Sequence, residues 1–590
     1  MNNNSDNYTL EQNNKFISKV YKKALFPCML SILSANINVI VDSILVGQKL
    51  GSNALAAINL CMPINLLLCV IGSFFSAGTA INASKSLGSH NTDKANNYYI
   101  SDVYLSYIFS VIITILGVIF ITPISRFLCF DPDVLPYVHT YCLVTLIGSI
   151  FKIMLYIPFW YLRLDGKNKQ ISIIMAILTL GNIILDVLFV FVCDFGVLGA
   201  GLANIIATAL ALFFGIYYLR EKDSSFKFSW KFDYKYVSFK MIALDGMPSS
   251  LNNLCSTIRF LIINEVLLSF GGASLVAIFT AVNGIFSIGE CIILGVPQAS
   301  TAMLGVYAGE KDFLSCKLIV KYELIIGGVL SGVFLILCII GAPFAGLLFG
   351  LTDNIFVPVI LMSIATFPSL CLQALSSYYN ISGKNVLSIL IIVLRLIVMT
   401  YFGLVIAIKT GVSIFTFYIF AEVATLIVLY IVTGVIHSTN TKLDRFLLCK
   451  LHNEIDGKVL NFSVESDKEK ICMACEKLAD FCSMNGLSMK ETMRLQLAIE
   501  EALVLITDIN KSVQESIDGF DIRAFAMEDI SGLRIRYDGL DFNPFEGNMD
   551  SADYMGIKMV LDMLETTVYK RTFGVNTLIL LLKEKSNEQS

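Results

Sequence analysis

The chain has 590 residues, of which 56% are hydrophobic and only 15% are charged. Soluble domains carry roughly 25% charged residues, so the composition excludes an ordinary soluble multidomain protein and is typical of a protein embedded in a bilayer. The net charge of -4 gives no sign of nucleic-acid binding. The single CxxC pair, Cys472 and Cys475, has no second pair to complete a zinc site.

Apolar runs dominate the first three quarters of the chain. A helix needs about twenty residues to cross the hydrocarbon, and about twelve such runs occur between Ala24 and Ile436. We predict spans at 24–46, 57–80, 100–122, 135–161, 171–193, 197–219, 241–269, 275–301, 319–340, 354–380, 386–408 and 413–436.

Lys and Arg set the expected orientation, because cationic loops stay on the cytoplasmic side. With the N-terminus inside, the outside loops hold only Lys49, Arg126 and Lys409, and most remaining basic residues of this region fall inside. The sequence therefore predicts a multi-pass protein of the cell (inner) membrane with both termini in the cytosol.

The membrane region also contains an internal sequence repeat. The offset that lays Pro27 on Pro248 also lays Gly88 on Gly309, and a slip of four positions later in the chain aligns two Gly-Lys-Asn triplets. Two parallel six-helix lobes around a central cavity are expected from such a repeat. The predicted divisions are an N-terminal tail at 1–23, a first lobe at 24–219, a linker at 220–240, a second lobe at 241–436, a further linker at 437–457 and a C-terminal domain at 458–590.

Ionisable residues inside a membrane are functional candidates, because a charge in hydrocarbon is costly. Asp42, Asp186 and Asn204 fall four to seven residues from the outer ends of three predicted spans, and Asn182 lies one helical turn from Asp186. Two carboxylates with amide oxygens can hold Na⁺ or share a proton. The alternative is that the two acids are helix-end residues near the headgroups.

The second half has no counterpart of this group, since Asp42 maps onto Ile263. It carries Arg259, Glu265, Glu290, Arg395 and Glu422. We predict that Glu290, Arg259 and Arg395 line a substrate cavity, with Glu290 suited to a cationic substrate. A structural ion pair or a snorkelling side chain is the alternative for each of them.

The twelve predicted spans resemble the multidrug and toxic compound extrusion (MATE) family. The segments that carry the resemblance are PCMLSILSANINVIVDSILVGQKLGSNALAA at 27–57, GTAINASKSLGSHNTDKA at 78–95, GNIILDVLFVFVCDFGVLGAGLANIIAT at 181–208 and LGVYAGEKD at 304–312. The resemblance implies two six-helix lobes and export of small organic, often cationic compounds against inward Na⁺ or H⁺. It implies a transporter, not an enzyme.

The family's cation site in its first lobe matches Asp42, Asn182 and Asp186, and Asn204 stands where a Thr is usual. An acidic position found early in span seven of one subfamily is Ser256 here, so the resemblance does not support coupling through the second lobe.

The pattern changes after Lys450 to that of a small α/β sandwich. We expect strands at 458–464, 520–526 and 531–537, helices at 467–485, 488–510 and 554–566, and a hairpin reaching residue 584. Ser488 and Glu491 have the spacing of a capping box at the start of the second helix.

This tail resembles the anti-sigma-factor branch of the histidine-kinase-like ATPase fold, through LAIEEALVLI at 497–506, YDGLDFNPF at 537–545 and the run at 554–582. Glu501 matches the family's Glu, but Leu505 replaces its metal-binding Asn. The adenine-reading Asp aligns with Tyr537, or with Asp538 and Gly539 after a one-residue adjustment.

The glycine lid of that fold keeps Gly556 and loses its first glycine to Tyr554. These departures predict a degenerate regulatory or docking module with a cytosolic protein partner. ATP hydrolysis is not expected, and no cofactor is expected beyond the coupling ion.

The sequence thus predicts an ion-coupled exporter of organic compounds. A flippase for a lipid-linked precursor is a second hypothesis, and a membrane-anchored anti-sigma-like kinase is a third. No Walker motif occurs, so an ion gradient is the expected source of energy.

Overall fold

The computed structural model describes residues 3–89, 91–129, 132, 134–221, 224–229, 235, 237–348, 355–441, 443–449, 458–513, 517, 519–526, 531–546, 554–572 and 574–582. The side chains of some residues within the helices, Asp42 among them, lie outside this description. The chain forms two compact units. The membrane unit comprises Ala24–Asp312 and Ile319–Ile436, and the tail unit comprises Met1–Lys23, Phe313–Leu318 and His437–Ser590.

The membrane unit is built from helices. In chain order they are α1 (Asn3–Leu60), α2 (Met62–Gly88), α3 (Thr92–Ile119), α4 (Ile121–Leu128), α5 (Leu135–Ile147), α6 (Ser149–Met154), α7 (Tyr156–Leu164), α8 (Asn168–Asp186), α9 (Gly196–Leu219), α10 (Phe239–Gly309), α11 (Phe313–Leu348), α12 (Phe356–Ile381), α13 (Asn385–Val393), α14 (Met399–Thr410) and α15 (Phe417–Thr439). Two π-helical segments, Val187–Val192 and Leu394–Val398, continue α8 and α13.

Among the described residues, nine helices are long and apolar enough to cross a membrane, and α5 with the bent stretch Ser149–Leu164 forms a tenth candidate. These ten coincide with ten of the predicted runs. The other two runs, 24–46 and 241–269, fall on α1 and α10, which both contain residues whose side chains lie outside the description. Twelve spans in two lobes therefore stay a prediction.

The apolar surfaces of these helices fit a lipid environment. On α11, Ile336, Leu337 and Ile340 are each more than half exposed, where a helix of a soluble protein would be polar. The packed faces instead carry small residues. A Cβ added to Gly88 of α2 would lie 2.8 Å from the Cα of Gly309 on α10, so glycine allows these helices to touch through their backbones.

The tail unit contains a five-stranded antiparallel sheet in the order β1-β2-β3-β5-β4. Its elements are β1 (Val459–Val464), α16 (Lys468–Met484), α17 (Met489–Ser512), β2 (Phe520–Ala526), β3 (Ser531–Tyr537), α18 (Met555–Met563), β4 (Thr566–Thr572) and β5 (Val575–Leu581). All the predicted strands and helices of the tail form, and the capping box of Ser488 and Glu491 is confirmed.

The core of the tail lies between one face of this sheet and its helices. Leu478 of α16 and Ile499 of α17 are fully buried there with Ile535 of β3. This arrangement is a small α/β fold, and the more specific histidine-kinase-like assignment stays a prediction.

The start of α1 also belongs to the tail unit. Phe16, Ile17, Val20 and Tyr21 are buried, at the spacing of one helical face. The stretch predicted as an N-terminal tail is thus an amphipathic helix with a packed apolar side.

Candidate functional site

Asn182 and Asp186 form a buried pair on α8. Both residues are 0% exposed, and the Asn182 Nδ2 donates a hydrogen bond to the Asp186 Oδ2 at 2.7 Å. The residues are neighbours because four positions make about one helical turn. No described residue donates to the Asn182 Oδ1, so this amide oxygen is available to a cation.

The helix changes pitch immediately after this pair. Val187–Val192 is π-helical, and π-bulges occur frequently at functional sites because they displace side chains from the regular ladder. The change places the Asn182–Asp186 pair at the junction of two helical geometries.

The other two residues of the predicted coupling group are less fully described. Asp42 lies on α1, and its side chain is outside the described residues. Asn204 is half-buried on α9, where its backbone carbonyl accepts a hydrogen bond from Thr208 Oγ1 at 2.6 Å. Helices α8 and α9 touch where Gly181 faces Ala207, but the described hydrogen bonds do not join the Asn204 side chain to Asp186. The four-residue site stays a prediction.

The residues of the predicted substrate cavity meet around one further acid, Glu422 of α15. Arg395 Nε lies 2.9 Å from Glu422 Oε2, and Arg259 Nη1 lies 3.7 Å from Glu422 Oε1. Arg395 also donates to Gln373 Oε1 at 3.3 Å. Glu290 faces both guanidinium groups. In the sequence Glu422 stands as one isolated charge, and nothing there shows its partners.

Arg259 keeps part of its hydrogen-bonding capacity. Its guanidinium carbon lies 4.8 Å from the centre of the Tyr418 ring, in cation–π geometry. Its Nε and Nη2 are buried and have no hydrogen-bond partner among the described residues. This cluster therefore combines a carboxylate, Glu290, with guanidinium donors that can meet an anionic or carbonyl group.

Sequence reasoning missed a third polar cluster, centred on Asp245 of α10. The carboxylate accepts hydrogen bonds from Lys85 Nζ at 2.8 Å, from Asn82 Nδ2 at 3.0 Å and from Asn385 Nδ2 at 2.7 Å. The backbone carbonyl of Asp245 accepts a further bond from Asn380 Nδ2 at 3.1 Å. Asp245 is 0% exposed.

These bonds join the first half of the repeat to the second. Lys85 and Asn82 lie on α2, whereas Asn385 begins α13 and Asp245 lies near the start of α10. The internal repeat does not indicate these bonds, because the offset that lays Pro27 on Pro248 gives Asp245 the apolar counterpart Ala24.

In the tail, the predicted nucleotide-site positions form two separate contacts. Glu501 of α17 lies directly against Gly556 of α18, where any added Cβ would overlap its carboxylate. Gly539 adopts a φ of 143° next to Asn510, whose Oδ1 accepts from the Leu540 amide at 3.0 Å. Asn510 was not among the predicted residues.

Both residues aligned with the adenine-reading Asp are already engaged by other parts of the tail unit. Tyr537 is 0% exposed and donates its hydroxyl to the Phe542 carbonyl at 3.0 Å, and burial raises the pKa of its phenol. Asp538 accepts from Lys19 Nζ at 2.6 Å and lies 3.8 Å from Lys23 Nζ. The position aligned with nucleotide recognition is thus held by the chain's own N-terminal helix.

Comparison with known proteins identifies the fold of the membrane unit. Residues 27–188 match the MatE family model. The multidrug export protein MepA of Staphylococcus haemolyticus is 26% identical over 295 residues, which are 49% of this chain and 64% of MepA. The FAD transporter of Shewanella oneidensis is 25% identical over 256 residues, 42% of this chain and 56% of that protein. The matches thus span less than two thirds of either relative.

Solved structures agree in fold. A multidrug resistance MATE family transporter of the MOP superfamily, in an outward-facing conformation, aligns with a TM-score of 0.65 at 22% identity, over 70% of this chain and 94% of that one. A MOP superfamily transporter from Pyrococcus furiosus aligns with a TM-score of 0.64 at 23% identity, over 70% and 93%. Most of this chain therefore has the fold of multi-pass membrane transporters, and the named relatives are transporters, not enzymes.

Proposed function

We propose that this chain is a MATE-type secondary transporter that exports small organic compounds in exchange for inward Na⁺ or H⁺. The observation that carries the proposal is the buried Asn182–Asp186 pair, which lies inside the segment that matches the MatE model. Asp42 falls in the same segment. A buried acid next to an amide oxygen without a donor is a suitable place for a coupling cation.

The proposed transport cycle depends on one ion-binding group. The coupling ion binds at Asp186 and Asn182 and is shared with Asp42 of α1 and Asn204 of α9. Binding of the ion and binding of the substrate then favour opposite conformations, and only a difference in affinity between the two conformations can drive exchange. The inner membrane and cytosolic termini belong to this proposal, on the distribution of loop charges.

The group around Glu422, with Glu290, Arg259 and Arg395, is the proposed substrate contact. Glu290 provides a negative charge for a cationic compound. The two Arg259 donors without described partners favour instead a substrate with an anionic or carbonyl group, as the FAD transporter suggests. Competition between a cationic dye and FAD for the same transport route decides between them.

The experiment is exchange in proteoliposomes that contain no ATP. Vesicles loaded with a cationic dye receive an imposed Na⁺ gradient, an imposed pH gradient or neither. The proposal expects dye movement only when one gradient is present, and loss of that movement on Glu290→Gln if the substrate is cationic. Movement that requires ATP, or no movement of either the dye or FAD under either gradient, contradicts the proposal.

For the tail we propose a regulatory docking role without ATP hydrolysis. It is supported by the Lys19 and Lys23 contacts with Asp538, because α1 continues from these lysines to the position of Asp42. The contact between Asp538 and Lys19 therefore fixes the beginning of the helix that carries the proposed coupling acid.

Hydrogen exchange on the full-length protein tests this docking. Asp538→Asn should speed exchange of the amides at 16–23, whereas the matched change Asp541→Asn, at an exposed acid on the same loop, should not. Exchange in β5 reports whether the tail remains folded. Equal exchange at 16–23 in both variants contradicts the docking role.

A further inference from the structure

Two acids in the membrane unit are buried with no cation beside them among the described residues. Asp102 of α3 and Glu323 of α11 are each 0% exposed. No described residue donates a hydrogen bond to Asp102 Oδ2 or to either carboxyl oxygen of Glu323. No Lys or Arg of the described part of the chain is among the groups that act on either carboxyl. Neither acid belongs to the sites described above.

The two acids occupy equivalent positions in the internal repeat. The offset that lays Gly88 on Gly309 also lays Asp102 on Glu323 and Thr79 on Ser300. After the slip of four positions, the same repeat lays Tyr161 on Tyr378. Each half of the repeat thus retains an acid, a small hydroxyl and a tyrosine, although the counterpart of Asp42 is Ile263.

The surroundings of Asp102 are rich in hydroxyl groups. Ser106 donates to Asp102 Oδ1 at 3.0 Å, and Ser76 and Thr79 of α2 face the same carboxyl. The phenols that face it are those of Tyr161 on α7 and Tyr99 on α3. A hydroxyl group both donates and accepts, so this lining fits a carboxylic acid as well as a carboxylate.

Glu323 has a simpler environment. The hydroxyl that faces it is that of Ser300 on α10, the counterpart of Thr79. Tyr378, the counterpart of Tyr161 in the repeat, is buried on α12 and is not among the groups that act on Glu323. The groups that act on Glu323 include no cation among the described residues, so no positive charge there compensates an ionised carboxylate.

We propose that Asp102 and Glu323 are a matched pair of proton-binding sites, one in each half of the repeat. An isolated carboxylate in a dry interior is costly, so each acid is neutral while it is buried. When water reaches the site, the carboxyl O–H passes its proton to a water molecule, and the carboxylate takes a proton back before the packing closes again. Each half thereby carries one proton site besides the Asn182–Asp186 group.

The use of these protons in transport rests on the proposed function, but their presence does not. Infrared difference spectroscopy on the purified full-length protein measures the C=O band of protonated carboxyl groups as the pH is raised. We expect a band that disappears with rising pH, that loses part of its amplitude in Asp102→Asn or Glu323→Gln, and that loses more in the double variant. Asp93→Asn, at an exposed acid in the first turn of α3, should leave it unchanged.

The amide variants keep the shape of a neutral acid, so we expect them to fold, and Asp102→Glu and Glu323→Asp should keep the titrating band. A titrating band of native amplitude in the double amide variant overturns the proposal. So does a band that the variants remove but that does not respond to pH, because the acids would then be structural. The expected infrared result together with an absence of dye exchange would contradict the proposed function alone.

Discussion

The Asp245 cluster allows the sharpest quantitative prediction, because one carboxylate joins helices from both halves of the repeat. We consider Asp245→Asn. The native carboxylate accepts from three side chains, Lys85, Asn82 and Asn385, and is 0% exposed. The amide keeps one acceptor oxygen and loses the charge that pairs with Lys85.

Hydrogen bonds to a charged group contribute about 1.5–3 kcal/mol each, and the amide loses roughly one to two of them. We therefore expect the contact between α2 and α10 to weaken by about 3 kcal/mol. Since 1.4 kcal/mol corresponds to about a factor of ten, the open arrangement should become about 100-fold more populated.

Hydrogen exchange along α2 measures this opening. The amides at 78–88 should exchange about 100-fold faster in Asp245→Asn than in the native protein. Glu221→Gln is the matched control, because it removes a different ion pair, with Lys167 at 2.7 Å, within the same unit. Equal exchange along α2 in the native protein and in Asp245→Asn would refute the role of this cluster in closing the two halves together.

Three further outcomes are expected. Arg395→Met leaves Glu422 buried beside Arg259 alone and should destabilise the protein by about 3–5 kcal/mol, whereas adding Glu422→Leu should recover only part of the loss in a thermal unfolding assay, because Arg259 then loses its own partner. Burial raises the pKa of Cys475 to about 12, so maleimide at about pH 8 should label the exposed Cys472 and spare Cys475, as read by mass spectrometry. At Asp444, burial acts to raise the pKa, but hydrogen bonds from Lys317 and two backbone amides outweigh it and lower the pKa. Asp444→Asn should therefore cost about 0.5–1 kcal/mol at about pH 7 in an unfolding titration, and this difference should vanish as the pH falls below the lowered pKa.

Local patterns in the sequence predicted the tail with little error. Alternation of apolar residues marks β2 and β3, and the capping box of Ser488 and Glu491 marks the start of α17. These signals are local in the chain, because period and capping depend on neighbouring residues. The same holds for Asn182 and Asp186, whose spacing of one turn already places them together.

Contacts between distant segments could not be predicted in this way. The bond between Lys85 and Asp245 joins residues 160 positions apart, and that between Arg395 and Glu422 joins residues 27 apart. Each of these residues was visible as an isolated charge in an apolar run. Which charge meets which depends on how the helices pack, and helix packing is not encoded in the period of any one helix.

The packing of the start of α1 was not predicted from the sequence, for a different reason. The first residues are polar and rich in Asn, so the segment resembled a tail. The apolar positions Phe16, Ile17, Val20 and Tyr21 form a helical face, but a single short face does not reveal its partner. The Lys19 contact with Asp538 spans 519 positions and needed the folded tail.

Ion-dependent exchange by the Asp186→Asn variant tests the central claim most directly. In proteoliposomes, native protein should move dye when a Na⁺ or pH gradient is imposed, and Asp186→Asn should lose that response while the Glu221→Gln control keeps it. Gradient-driven exchange of native rate in Asp186→Asn would contradict the claim that the buried pair on α8 takes up the coupling ion.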